Sequence, residues 1–222
     1  MNIPFIKLGS GEITNVPYLR QMGGTGLPII MSTGMSSIAE VDNAMNILYE
    51  AGAKDITLLH CTTNYPCPMD QVNLNAMLTL KNAFHVPVGY SDHTKGIEVP
   101  IAAVAMGATV IEKHFTLDKN MEGPDHLAST EPDEFKKMVQ SIRNIETALG
   151  TGIKKPTKSE KEISEVVLKR IVAYSNIKKG ELITEDNVCV KRNDKGVSSL
   201  YWDLVIGTKA KKDFNIDEPI EL

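Results

Sequence analysis

The chain has 222 residues, 24 Lys and Arg against 28 Asp and Glu, and three cysteines. That length is enough for a sizeable core in one large or two smaller domains. A formal net charge of -4 excludes a protein built to attract nucleic-acid phosphate or anionic lipid. The odd cysteine count, the absence of an apolar run near the roughly 18 residues of a membrane span and the lack of a basic-then-apolar leader predict a reduced, cytoplasmic protein.

Taken in chain order, apolar runs of strand length fall at 5–8, 28–31, 56–59, 86–90 and 109–111. Segments with helical spacing lie between and after them, at 16–22, 38–50, 73–83, 96–106 and 132–149. Strands alternating with helices in this way indicate parallel βα units. Every one of these strands runs into a polar, turn-prone cluster: GSGE, STGM, HCTTNYP, SDHT and, after Glu112, KHFT. An open sheet draws its ligand crevice from strands near one switch point, whereas a closed barrel brings all its strand ends to one face. The pattern therefore predicts a TIM (β/α)8 barrel. A whole barrel takes about 250 residues, so about five units in 1–150 predict a partial one, whose remaining units belong before residue 1.

The stretch GTGIKKPTKSEKE reads as a linker over 151–163. Short β-like pieces (IVAYSNI, VCVKR, GTKAKK) punctuated by turns then predict a compact second domain over 164–222.

His93 and His114 end neighbouring predicted strands, an arrangement in which two imidazoles can share a divalent metal with open positions for substrate. The alternative from spacing alone is that each caps its strand as a neutral, hydrogen-bonded histidine. His60 also ends a strand and suits a structural role, and neither His85 nor His126 acquires a role from spacing. Ser10, Ser32 and Ser91 end three different strands near Gly9, Gly11 and Gly34. With Lys7 they compose either a phosphate cradle or a set of ordinary turns. Cys61 and Cys67 lack the matching second pair of a zinc site.

Together, IKLGSGE, STGM, LLHCTTNYP, NLNAMLTL, VGYSDHTKGIE, GATVIEKHFTLDK and EGPDH resemble, in order, the N-acetylneuraminate (sialic acid) synthase family, which includes the legionaminic acid synthases. IVAYSNIKKGELITEDNVCVKR resembles that family's C-terminal antifreeze-like (SAF) domain. The resemblance covers essentially the whole chain, although family members begin with further βα units that supply an acidic residue and a lysine of the active site. It implies an α/β protein with a partial TIM barrel followed by a small β-rich SAF domain. The implied reaction condenses phosphoenolpyruvate with an N-acetylated amino sugar, typically N-acetylmannosamine, and releases phosphate.

It further implies that His93 and His114 hold Mn²⁺, with Mg²⁺ or Co²⁺ as alternatives, and act in catalysis together with Glu12. Lys7, Ser10, Ser32 and Ser91 match phosphoenolpyruvate contacts. Tyr65 and Asp125 match residues facing the sugar, and Thr63 stands where some members carry Asn. Arg192 matches an arginine that the SAF domain inserts into the partner barrel of a homodimer; Asn193 follows it where the family usually has Pro. Two other readings accompany this one. One is an inactive remnant that binds sugar or associates with other subunits. The other is a metal-dependent aldolase, which leaves the second domain unexplained.

Overall fold

The computed structural model describes residues 3–221, which divide into two compact units between Gly152 and Ile153. In the first unit, five strands form one parallel sheet in sequential order: β1 (Ile6–Leu8), β2 (Ile29–Ser32), β3 (Ile56–His60), β4 (Val88–Asp92) and β5 (Ile111–Lys113). Helices follow each strand in turn: α1 (Val16–Gly23), α2 (Ile38–Glu50), α3 (Asn75–Phe84), α4 (Glu98–Ala105) and α5 (Pro132–Leu149). The architecture is a half-barrel of the TIM type, with β1 and β5 at its two edges among the described residues.

Side chains alternate across a strand, so each strand divides its residues between the two faces of the sheet. Leu8, Ile29, Met31, Ile56, Leu58, Val88 and Tyr90 share one face and pack with Leu19, Val41, Leu48, Met77 and Leu80 of the helices as the main core. Lys7, Ser32, Ser91 and Glu112 occupy the opposite face. The local signals that start the helices are explicit. Asn15 accepts from the Tyr18 N–H at the start of α1, and Ser37 and Glu40 form a reciprocal capping box on α2.

Two strands are shifted by two residues from their predicted limits, and the other three differ by one at one or both ends. β4 continues through Ser91 to Asp92, and β5 is Ile111–Lys113 rather than 109–111. Apolar texture placed both limits too early because the polar residues satisfy one another across the ladder. Ser91 pairs with Glu112 and Asp92 with Lys113 in register, and each pair is joined by a side-chain hydrogen bond of 2.6 Å.

In the second unit, α6 (Lys158–Val167) precedes an antiparallel pair, β6 (Lys169–Ala173) and β7 (Val188–Arg192), and a short helix, α7 (Trp202–Val205). Isolated bridges such as Ile177↔Phe214 and Val172↔Pro219 enclose a core that includes Ile171, Ile183, Val188, Val205, Phe214 and Ile220. α6 lies partly within the stretch read as linker, and it begins at a capping box between Thr157 and Glu160. Cys61, Cys67 and Cys189 are free thiols. Among the described residues, no helix is long and apolar enough to cross a membrane.

Candidate active site at the strand ends

The polar face of the half-barrel carries a continuous row of side chains. Lys7 donates from Nζ to Ser32 Oγ at 2.8 Å and to the Leu8 carbonyl at 3.0 Å. The same Nζ lies 3.4 Å from a Glu112 oxygen, and Ser91 donates to the other Glu112 oxygen at 2.6 Å. Lys7, Ser32 and Ser91, named from sequence on three different strands, are thus linked, and Glu112 is the link between them.

Ser10 stands beside this row. Its Oγ accepts from the Gly34 N–H at 2.9 Å and lies 3.2 Å from Cys61 Sγ. The approach of these segments requires a residue without a Cβ at position 34. A Cβ there would lie 2.3 Å from Thr63 Oγ1, 2.8 Å from Ser10 Oγ and 2.9 Å from Cys61 Sγ. Thr63 is therefore drawn in beside Ser10.

His93 and His114 follow directly after Asp92 and Lys113, the paired ends of β4 and β5. Their ring centroids are 5.4 Å apart in a T-shaped arrangement. The exposed Tyr65 ring covers both, at 4.1 Å from His93 and 5.3 Å from His114. His93 is buried, and its Nδ1 lies 2.7 Å from the Thr62 carbonyl, which fixes Nδ1 as the donor and leaves Nε2 with its lone pair. Burial lowers the His93 pKa, and the neighbouring His114 lowers it further against the opposing Thr62 hydrogen bond. The ring is thereby held in the neutral form that a metal requires. Burial raises the Tyr65 pKa, with Cys61, Asp125 and Glu112 adding to it, so the phenol keeps its proton.

Asp125 is exposed on the loop between β5 and α5, with a carboxylate oxygen 3.9 Å from His114 Nδ1. Two other candidates lie on different elements. The Glu12 carboxylate accepts from Asn15 Nδ2 at 2.7 Å in a short turn after β1. Arg192 is the exposed last residue of β7 in the second unit. His60 has a structural partner, the Val72 carbonyl at 2.8 Å.

Three residues of the site escaped the reading from sequence: Glu112, Asp92 and Lys113. Alternation was the available signal for Glu112. It stands two residues before His114, as Ser91 stands two before His93, so all four face the same way. Asp92 and Lys113 face the helices as an ion pair whose side chains are 0% and 1% exposed. Asp92 also accepts from the Thr94 N–H and hydroxyl, and Lys113 donates to the Thr94 carbonyl.

The site fits a divalent ion with open positions, because one buried neutral imidazole presents a free nitrogen beside a second imidazole. Among the described residues, no group of three or more His, Cys, Asp or Glu side chains converges as a metal cluster.

Comparison with known proteins shows the family of the chain. Residues 1–154 match the NeuB family model, and residues 170–222 match that of the SAF domain. The N,N'-diacetyllegionaminic acid synthase of Campylobacter jejuni is 51% identical over 222 residues, covering 99% of this chain and 66% of its own length. That of Legionella pneumophila is 46% identical, covering 94% of this chain and 60% of its own. The chain thus spans less than two thirds of the length of these relatives. Among solved structures, the N-acetylneuraminic acid (sialic acid) synthetase of Leptospira borgpetersenii superposes with a TM-score of 0.68 at 40% identity, covering 74% of this chain and 57% of that one. The Bacillus subtilis spore coat polysaccharide biosynthesis protein spsE gives a TM-score of 0.62 at 35% identity, covering 97% of this chain and 65% of that one. The chain belongs to the NeuB family.

Proposed function

We propose that the chain carries the anion-binding and metal-binding face of a nonulosonic acid synthase. The reaction condenses phosphoenolpyruvate with an N-acetylated amino sugar, such as N-acetylmannosamine or a diacetamido hexose, and consumes one water. A new C–C bond joins C3 of phosphoenolpyruvate to the aldehyde carbon, phosphate leaves, and a 2-keto acid remains. The observation that carries this reading is the row of hydrogen bonds and one ion pair from Ser32 through Lys7 and Glu112 to Ser91, set beside two histidines at the ends of adjacent strands.

In this reading Lys7, Ser10, Ser32 and Ser91 bind the phosphate and carboxylate of phosphoenolpyruvate, with the lysine supplying the charge and the hydroxyls the direction. His93 and His114 hold the divalent ion, Mn²⁺ in the first instance and Mg²⁺ or Co²⁺ as alternatives, which when bound supplies a Lewis acid for the aldehyde oxygen. Tyr65, kept protonated by burial, offers a hydroxyl to the sugar and covers both imidazoles against water. Asp125 accepts from a sugar hydroxyl, and Thr63 borders the same space. Glu12, oriented by Asn15, is the acidic group assigned to the reacting centre. Arg192 serves the N-acetyl group of a substrate bound by the partner subunit of a homodimer, since a guanidinium holds a carbonyl by charge-assisted hydrogen bonds.

The test is release of phosphate from phosphoenolpyruvate in the presence of Mn²⁺ and amino sugar. It is measured for the chain alone and for the chain fused to the part of the Campylobacter jejuni relative that it does not span. Sugar-dependent phosphate release by the fusion, abolished in its His93→Ala form, is expected. The chain alone is expected to show no turnover, because half a barrel cannot hold both substrates in a dry, preorganised pocket. A well-folded fusion without any sugar-dependent release would overturn the reading.

A further inference from the structure

Glu112 is a carboxylate in the middle of a cradle assigned to anions, and that placement carries an inference resting on the synthase reading above. Lysine has three N–H donors and serine one hydroxyl proton. Lys7 directs its donors to the Leu8 carbonyl and Ser32 Oγ and faces Glu112 at 3.4 Å, while Ser91 gives its only proton to Glu112. The Lys7 ammonium therefore already faces an internal anion, and the Ser91 proton is committed to it. The contrast with Asp92 and Lys113 is instructive. That pair is sealed at 0% and 1% exposure, whereas the Lys7 and Glu112 side chains are 28% and 40% exposed and open to exchange.

We propose that Glu112 is an internal stand-in for the substrate's anionic group that sets how tightly the cradle holds anions. In the empty site it keeps Lys7 and Ser91 oriented, and it must be displaced when phosphoenolpyruvate takes over those donors. A phosphate with two negative charges and several acceptor oxygens competes for Lys7 and Ser91, whereas a monoanionic carboxylate does not repay the loss of Glu112. Like charges brought together in a partly desolvated site oppose binding, so a ligand that leaves Glu112 in place gains little. The residue thereby lowers the cradle's affinity for every anion that must take over Lys7 and Ser91.

Calorimetric titration of the 222-residue chain with inorganic phosphate, phosphoenolpyruvate and pyruvate, at one pH and ionic strength, tests this. Glu112→Gln keeps the shape and removes the charge; Glu112→Ala provides the same charge change without a competing amide. Near-ultraviolet circular dichroism checks folding. Both variants should bind phosphate and phosphoenolpyruvate about tenfold more tightly than the parent, a change of about 1.4 kcal/mol, while Lys7→Ala binds all three more weakly. Unchanged or weaker phosphate binding in both Glu112 variants, with binding still lost in Lys7→Ala, would overturn the stand-in role and leave the cradle standing. Phosphate binding that is absent from the parent, or indifferent to Lys7, would overturn the cradle and the inference together.

Discussion

Asp92 and Lys113 face each other across β4 and β5 as a hydrogen-bonded ion pair of 2.6 Å with almost no exposure, and each immediately precedes a histidine of the candidate metal site. Two buried charges are tolerated because each satisfies the other and Thr94 satisfies the remainder. Removing one partner strands the other, at a cost of about 3–5 kcal/mol, whereas removing both together is far less damaging. Lys113→Met should therefore lower the unfolding free energy in urea by about that amount, and Asp92→Asn/Lys113→Met should recover most of it. A single-variant loss below about 1 kcal/mol would show that the pair is not sealed as described.

Glycine is required at two places for different reasons, and the difference is measurable. At Gly89 in β4 a Cβ would meet the Val110 carbonyl oxygen at 2.3 Å and Leu59 Cδ2 at 2.6 Å, so backbone must move. At Gly34 the obstructing atoms are the side-chain ends of Thr63, Ser10 and Cys61. Gly89→Ala should cost about 1–3 kcal/mol of stability. Gly34→Ala should cost less but weaken phosphate binding by displacing Ser10. Equal stability losses, with phosphate affinity unchanged in Gly34→Ala, would contradict this division.

Acid sensitivity should follow from His60. Burial lowers its pKa from the ordinary value of 6.5, against the opposing hydrogen bonds that it donates to the Val72 and Asn73 backbone. Below that ordinary value the unfolded chain binds a proton that the folded chain refuses, so stability rises with pH in that window. The contribution is fully present above 6.5 and is lost as pH falls through the folded value. His93 is shifted in the same direction by burial and adds to the effect. Urea unfolding at about pH 7.5 and about pH 5.5 should show a smaller pH-dependent loss for His60→Gln than for the parent. An identical loss in both would show that His60 takes no part.

The parallel half-barrel was legible in the sequence because doubly buried strands leave apolar runs ending in polar turns, and because Ser37 and Gly52 punctuate α2. Ser32, Ser91, His93 and His114 were legible as strand-end residues for the same reason. Glu112 and Lys113 were not, since charged residues inside a short strand contradict its apolar texture until the register with Ser91 and Asp92 is known. Cross-strand register is a long-range property that no local pattern encodes. α6 was hidden by a Lys- and Pro-rich composition, although Thr157 followed three residues later by Glu160 is a helix-start signal in its own right.

The proposed action of Arg192 on a substrate held by the partner subunit is open to a complementation test. In the fusion described above, Arg192→Ala should raise the KM for the amino sugar and leave phosphoenolpyruvate affinity unchanged. Mixing Arg192→Ala subunits with Ser91→Ala subunits should restore phosphate release through hybrid sites. Confirmed mixed dimers with no recovery would place the arginine's action in its own subunit or nowhere.

The central claim is that His93 and His114 are two halves of one divalent metal site. Electron paramagnetic resonance of free Mn²⁺ during titration with the 222-residue chain tests it most directly, because bound ion is lost from the sharp aqueous signal. The parent should remove one equivalent of Mn²⁺, His93→Ala and His114→Ala should each bind at least about tenfold more weakly, and the double variant should leave the signal unaltered. Mn²⁺ binding undiminished in the double variant would contradict the claim.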